Sequence, residues 1–355
     1  MATIDIKPAY RKLGRRINYF PQGAPSSKSL FQILEILFSP IEAALVAQLP
    51  ILPFDTKKAA RLWHMGIPEA RKQLNKLARK GLLLDLTTGK NGKCYVLPPP
   101  MAGFFELALM RKREDIDQKK LSELYYKYIN VEDDFVRALF LSGETSLGRV
   151  FVHEPVLPED CGYSILDHEK ASEVIAGSSC IAVGLCYCRQ KMAHLGKACN
   201  APMNICMTLN EPGASMVRNG IARRVEKKEA LDLLQSAYEH NLVQGGENVR
   251  KNVSFICNCC GCCCEALIAA RKFGMEHPIE TTNFIPVLDT EKCSGCGKCV
   301  SVCPVAAITM ESKNNGDGKK AALSEKICLG CGLCVRNCPQ NAIKLKPRPS
   351  RVVTQ

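Results

Sequence analysis

One pattern governs what this chain can fold into. Cys293, Cys296, Cys299 and Cys303 are spaced C-x2-C-x2-C-x3-C, with Pro304 after the last. Beginning 35 residues later, Cys328, Cys331, Cys334, Cys338 and Pro339 repeat it, and Ala307-Ile308 recurs as Ala342-Ile343. Such self-similarity means two copies of one supersecondary unit. Three closely spaced cysteines on a tight loop can wrap one iron–sulfur cube, while the fourth opens a segment that points away and reaches the other cube. The expected ligand sets are Cys293, Cys296, Cys299 and Cys338 for one [4Fe–4S] cluster, and Cys328, Cys331, Cys334 and Cys303 for the other. Gly295, Gly297, Gly330 and Gly332 let the backbone close around the sulfides. Amides exposed there can donate to sulfur and tune the potential. Zinc also binds paired CxxC thiolates, but it has no use for an exchanged fourth ligand or the proline.

This stretch, about residues 286–347, resembles the bacterial-type dicluster ferredoxins. The resemblance implies a small βαβ-repeat fold and one-electron transfer at low potential.

The chain carries 21 cysteines in 355 residues. Neighbours such as Cys262, Cys263 and Cys264 cannot easily form separate unstrained disulfides. Thiolates converging on metal explain the crowding better. Two blocks lie upstream of the repeat. The first is Cys186, Cys188, Cys199 and Cys206; the second is Cys257, Cys259, Cys260, Cys262, Cys263 and Cys264. Each follows a short apolar strand and precedes a helical stretch, which presents backbone amides to an anion. Arg189 can offset the charge of such an anion. An additional iron–sulfur cluster is expected here. A zinc site, a thiol-redox pair and buried free thiols are the other readings. Cys94, Cys161 and Cys180 suit free thiols, and His153, His168, His194 and His240 read as core or surface histidines.

The overall class is α+β. Residues 1–27 read as a basic arm, and 28–100 as a winged helix-turn-helix-like domain. Within the latter, apolar residues recur at helical spacing from Ser29 to Ala47, broken at Pro40. Asp55 caps a helix to Met65, and Pro68 opens another that ends at Gly81. Alternating leucines from Leu82 and the Asn91-Gly92 turn predict a hairpin. Residues 101–142 read as a helical linker, 143–285 as a mixed α/β cysteine-rich middle domain, 286–347 as the ferredoxin-like dicluster domain and 348–355 as a tail. The formal charge is +13, and residues 1–100 alone hold 16 Lys/Arg against 6 Asp/Glu. Arg71, Lys72, Lys76, Arg79 and Lys80 on the second helix of the pair are candidate contacts to DNA or to a protein. Protein docking is favoured, because no arginine–asparagine base-reading pattern stands out.

Taken together, these pieces resemble a family of multi-cluster ferredoxin-like proteins of anaerobes. Its pattern joins a winged-helix-like start, a C-x-C-R segment, an amphipathic helix, a C-N-C-C-x-C-C-C block and a dicluster ferredoxin. Here these are residues 28–100, Cys186 to Cys206, Lys227 to Val243, Cys257 to Cys264 and Cys293 to Cys338. Members often carry a histidine after the Leu-Val of the helix, where this chain has Gln244. The expected role is electron transfer to or from a redox enzyme or electron-carrier protein. A redox-sensing DNA-binding regulator and an enzyme with a catalytic cluster in the middle domain are the alternatives. No nucleotide-binding or radical-SAM motif is found, and no export signal or membrane span is expected, which points to the cytoplasm.

Overall fold

The computed structural model of the protein describes residues 8–87, 92–141, 146–157, 170–312 and 318–348. Gly89, Asn91, Cys161, His168 and the tail after 348 lie outside these residues. The chain is a mixture of helices and small sheets that divides into two units. The first comprises Met1–Gly143, Ser179–Cys199 and Thr208–Val225; the second comprises Glu144–Ser178, Asn200–Met207 and Glu226–Gln355.

The first unit is mainly helical. Where an arm is expected, Pro8–Ile17 is a helix that buries Tyr10, Leu13, Gly14 and Ile17. Lys28–Leu37 is capped by Ser27, whose hydroxyl accepts from the Leu30 amide, and its Leu30, Ile33, Leu34 and Leu37 line one buried stripe. Pro40 cannot continue that helix, and Ser39 starts a new one with a reciprocal cap: Glu42 N donates to Ser39 Oγ at 3.2 Å and Ser39 N to Glu42 Oε2 at 2.9 Å. The two helices meet at 103°, and no single helix among the described residues is long and apolar enough to cross a membrane.

Asp55 caps Thr56–Trp63, and Ile67–Arg79 follows, ending before Gly81 at φ +76°. Leu84–Thr87 and Lys93–Val96 then pair antiparallel, with Leu84 opposite Val96. The hairpin is fixed through Asp85, which is buried. Its carboxylate accepts from Ser215 Oγ at 2.6 Å and Asn219 Nδ2 at 2.7 Å and pairs with Lys93 at 2.7 Å. Ser215 belongs to the Asn210–Arg218 helix, so a distant segment of the same unit clamps the hairpin. Ile181–Leu185 contributes a short antiparallel pairing with Arg223–Arg224.

Glu42 does more than cap. It is 2% exposed and pairs with Lys76 at 3.1 Å and Lys80 at 2.8 Å. Burial opposes its ionisation, but hydrogen bonds from Lys80, the Ser39 amide and Lys76 outweigh that and lower its pKa to about 2. Its stabilising charge is therefore complete at neutral pH. Replacing Glu42 with glutamine is expected to cost about 1–3 kcal/mol, by leaving two ammonium groups without their carboxylate. Urea unfolding of the full chain at pH 7, followed by far-ultraviolet circular dichroism, measures it; an unchanged midpoint would show the pairing to be idle.

In the second unit Gly148–Val150, Val243–Glu247, Phe255–Cys259 and the first residues of Asn204–Leu209 lie side by side in that order. Val243 pairs with Cys259 and Gly245 with Cys257, antiparallel. Gly246 is required by space, since a Cβ there would lie 2.7 Å from the Phe151 ring and 2.8 Å from Phe255 O. Lys227–Glu239 is the amphipathic helix expected from the sequence, and Gln244 is buried and donates from Nε2 to its Leu234 O at 3.1 Å. Further along, Phe284–Leu288 pairs with Ile343–Pro347 and Ile308–Ser312 pairs with Lys319–Leu323, both antiparallel. Lys298–Val302 and Leu333–Arg336 are the short helices of the two copies.

Candidate metal centres

Each copy of the repeat folds the same way around its cysteines. Gly297 and Gly332 cap the short helices in the left-handed region, at φ +73° and +87°, and Gly295 and Gly330 lie at +72° and +70°. Only glycine takes up that conformation without cost, so each loop can curl with its amides facing inward. Ala307 N donates to Cys303 Sγ at 3.1 Å, and the equivalent Ala342 N donates to Cys338 Sγ at 3.3 Å. The same i+4 amide-to-sulfur bond thus holds the fourth cysteine of both copies.

Two cavities result. One is lined by Cys303, Cys328, Cys331 and Cys334 with Pro304, Leu329 and Leu333. The other is lined by Cys293, Cys296, Cys299 and Cys338 with Leu288, Met310 and Ile343. Three cysteines of one motif thus meet the last cysteine of the other, twice. No described cysteine is in a disulfide. An all-sulfur donor set in an apolar cavity, with amides aimed at sulfur, fits a thiolate-bound iron–sulfur cluster.

The two cavities differ in exposure. Cys328, Cys331 and Cys334 are buried, whereas Cys296 is exposed. Burial pushes the Cys331 thiol up to about 12 and raises those of Cys328 and Cys334 as well. At Cys296 the Lys298 amide holds the thiol below its usual value. Burial of this kind disfavours the thiolate, and a bound cation would compensate its charge.

The buried loop is anchored by residues without sulfur. Thr282 Oγ1 donates to Gly330 O at 2.8 Å, Arg348 Nη2 to Cys328 O at 2.8 Å, and the His153 amide to Cys331 O at 3.2 Å. His153 is buried, and its Nε2 donates to Leu242 O at 2.9 Å. Burial lowers its pKa to about 4, the Leu242 bond opposing and Arg336 adding to the fall, so the ring is neutral at pH 7. Arg336, two residues after Cys334, stacks over Tyr238 at 4.2 Å and donates to Tyr238 O and to Asn241 Oδ1, closing the end of the Lys227–Glu239 helix. Sequence reading left His153 among scattered histidines and assigned Arg336 and Arg348 nothing.

The upstream blocks are placed as follows. Cys186 caps the Tyr187–His194 helix, with Cys188 in its first turn, and Cys199 follows; all three belong to the first unit. Cys206 is buried in the Asn204–Leu209 strand and belongs to the second. Arg189 and Lys191 are fully buried beside Cys188, and Lys191 Nζ donates to Asn130 Oδ1 at 2.5 Å. In the second block the thiols of Cys260, Cys262 and Cys263 lie within 4.8 Å of one another. Gly261, between them, packs on the repeat: a Cβ there would lie 2.7 Å from Pro304 O and 3.1 Å from Pro304 Cα. Gln244 pairs with Asn258, and so shares its face of the sheet and not that of Cys257 and Cys259. On the Ile67–Arg79 helix, Arg71, Lys72 and Arg79 are exposed, while Lys76 and Lys80, the latter just past its end, turn to Glu42.

Searches among curated proteins and among solved structures match nothing. Residues 292–349 match the family model described as a 4Fe-4S dicluster domain, so the C-terminal region of this chain is of the type that binds 4Fe–4S clusters.

Proposed function

We propose that the protein transfers electrons one at a time, with two [4Fe–4S] clusters in the C-terminal repeat and a further metal centre at Cys260, Cys262 and Cys263. The observation that carries this reading is the pair of cavities, each lined by three cysteines of one motif and the fourth of the other. Cys293, Cys296, Cys299 and Cys338 hold one cluster, and Cys303, Cys328, Cys331 and Cys334 the other. When bound, the clusters supply the one-electron chemistry; the protein contributes thiolates, burial and amide hydrogen bonds. Cys296 is exposed, so its loop is the face to which a redox enzyme or carrier protein docks.

Anaerobically prepared chain is expected to carry at least about eight irons, and a content under about four would overturn the reading. The exchange of ligands has its own test in double variants. Cys303→Ala is expected to remove about four irons. Adding Cys331→Ala to it should remove no more, because both serve one cluster. Adding Cys296→Ala should remove the remaining repeat iron. The reverse pattern would mean that each motif binds alone.

A DNA-binding regulator is the weaker reading. The exposed Arg71, Lys72 and Arg79 beside a hairpin favour it, but Lys76 and Lys80 are engaged by Glu42 and not available as a continuous basic face.

A further inference from the structure

The two ligand loops of the repeat are each held from outside by a cation, and at the same atom. In the first copy Lys320 Nζ donates to Cys293 O. In the second, Arg348 Nη2 donates to Cys328 O at 2.8 Å. Cys293 and Cys328 are the first cysteines of their motifs, so the two carbonyls are equivalent positions of the repeat. The cations come from positions that are not equivalent. Lys320 lies in the strand Lys319–Leu323, between the two motifs, and Arg348 follows the last strand, Ile343–Pro347. Two unrelated segments thus deliver a positive charge to the same point of both loops. Each charge comes from the backbone on which its loop packs. A Cβ on Gly295 would lie 2.3 Å from Lys319 O, and one on the equivalent Gly330 would lie 2.1 Å from Phe284 O. Arg348 is tied to that second wall, its amide donating to Asn283 O at 2.8 Å and its Nε to Thr282 O at 3.1 Å. Among the described residues neither cation is in an ion pair, although Glu311 stands opposite Lys320 in the ladder.

We propose that Lys320 and Arg348 are positioning residues for the two cluster sites, one cation to each, and that their charge, beyond their hydrogen bonds, makes each site easier to reduce. The proposal rests on the functional reading above, in which Cys293 and Cys328 each ligate an iron–sulfur cluster. A carbonyl needs only a neutral donor, and an amide or hydroxyl would satisfy it. A long cationic side chain adds a charge, bonded to the very residue that supplies a thiolate. Gaining an electron makes a thiolate-bound cluster more negative, so a fixed cation beside it favours the reduced form and raises the potential. The effect is larger where water is excluded. Arg348 serves the loop of the buried Cys328, Cys331 and Cys334, and Lys320 the loop of the exposed Cys296. Arg348 therefore has the greater effect, and salt weakens that of Lys320 more.

The test uses the full chain, prepared anaerobically, with iron counted per chain and reduction followed potentiometrically through the paramagnetic signals. Arg348→Gln and Lys320→Gln keep a hydrogen-bond donor and lose the charge. Arg348→Gln is expected to lower the equilibrium constant of one of the repeat's two reduction steps about tenfold, about 59 mV for a one-electron couple, with iron content unchanged. Lys320→Gln should lower the other step about threefold, and the double variant both. Lys320→Arg and Arg348→Lys, which keep the charge and change the shape, should leave both steps where they are. A step unmoved at full iron in either glutamine variant would overturn the proposal for that site and leave the functional reading standing. The same step moving in both variants would overturn the assignment of one cation to each site. An unaltered chain holding under about four irons would remove the functional reading and the proposal together. Should Arg348→Gln shed its iron, iron kept in Arg348→Lys supports the role of the charge, and iron lost there too overturns it.

Discussion

Replacing Gly330 with alanine is expected to cost the protein one of its two C-terminal clusters, about four irons per chain. Gly330 stands at φ +70°, and a Cβ there would lie 2.1 Å from Phe284 O and 2.3 Å from Thr282 Oγ1. Neither neighbour can withdraw. Phe284 is in the ladder opposite Pro347, and Thr282 Oγ1 is already bonded to Gly330 O. The loop must therefore move, and it carries Cys328 and Cys331 with it. Gly297 is the control, because its φ is +73° with nothing within 4 Å of the added carbon. Gly297→Ala meets only the left-handed penalty of about 1–2 kcal/mol and should keep all its iron. Iron content and the visible spectrum of anaerobically prepared variants measure both. Equal loss in the two would mean that backbone conformation, and not space, decides whether the loop closes.

That contrast marks what can be read from a sequence. The spacing of the repeated cysteine motif is local in the chain, so the repeat was legible before any coordinates, and the cavities bring together the cysteines it was expected to group. Caps are equally local, and Asp55 and Gly81 mark the ends of their helices as expected. Long-range partners leave no such trace. Nothing near Glu42 announces Lys76 and Lys80, and nothing near Asp85 announces Ser215. The helix Pro8–Ile17 was hidden by Arg11, Lys12, Arg15 and Arg16, whose charges mask a stripe of Tyr10, Leu13 and Ile17. Nor could the sequence show that 179–199 and 208–225 return to the first unit, since that depends on contacts far apart in the chain. In the middle block the crowding of thiols was legible, but which of them come together was not. It depends on where a strand ends and a turn begins, between Cys259 and Cys260.

The Gly261 position tests whether the middle block and the repeat stand or fall together. Gly261 lies between Cys260 and Cys262, and Pro304 directly follows Cys303. A Cβ at 261 would lie 2.7 Å from Pro304 O, 3.1 Å from its Cα and 3.3 Å from its carbonyl carbon, all main-chain atoms. Pro304 has a ring-locked φ and little room to adjust. It is also held by Cys303, whose sulfur accepts from Ala307 N at 3.1 Å. A side chain at 261 must then displace one of two ligand-bearing segments. Gly261→Val is expected to lower the metal at Cys260, Cys262 and Cys263 and the iron held with Cys303 in the same preparation. The cluster at Cys293, Cys296, Cys299 and Cys338 should remain. Gly261→Ala should show the same pair of losses in smaller measure, since one methyl can be met by shifts of a few tenths of an ångström on each side. Metal content with the paramagnetic signal of the reduced protein resolves these losses. If valine empties the middle site while the Cys303 cluster stays whole, the segments yield independently, and the contact with Pro304 is packing without consequence for the ligands.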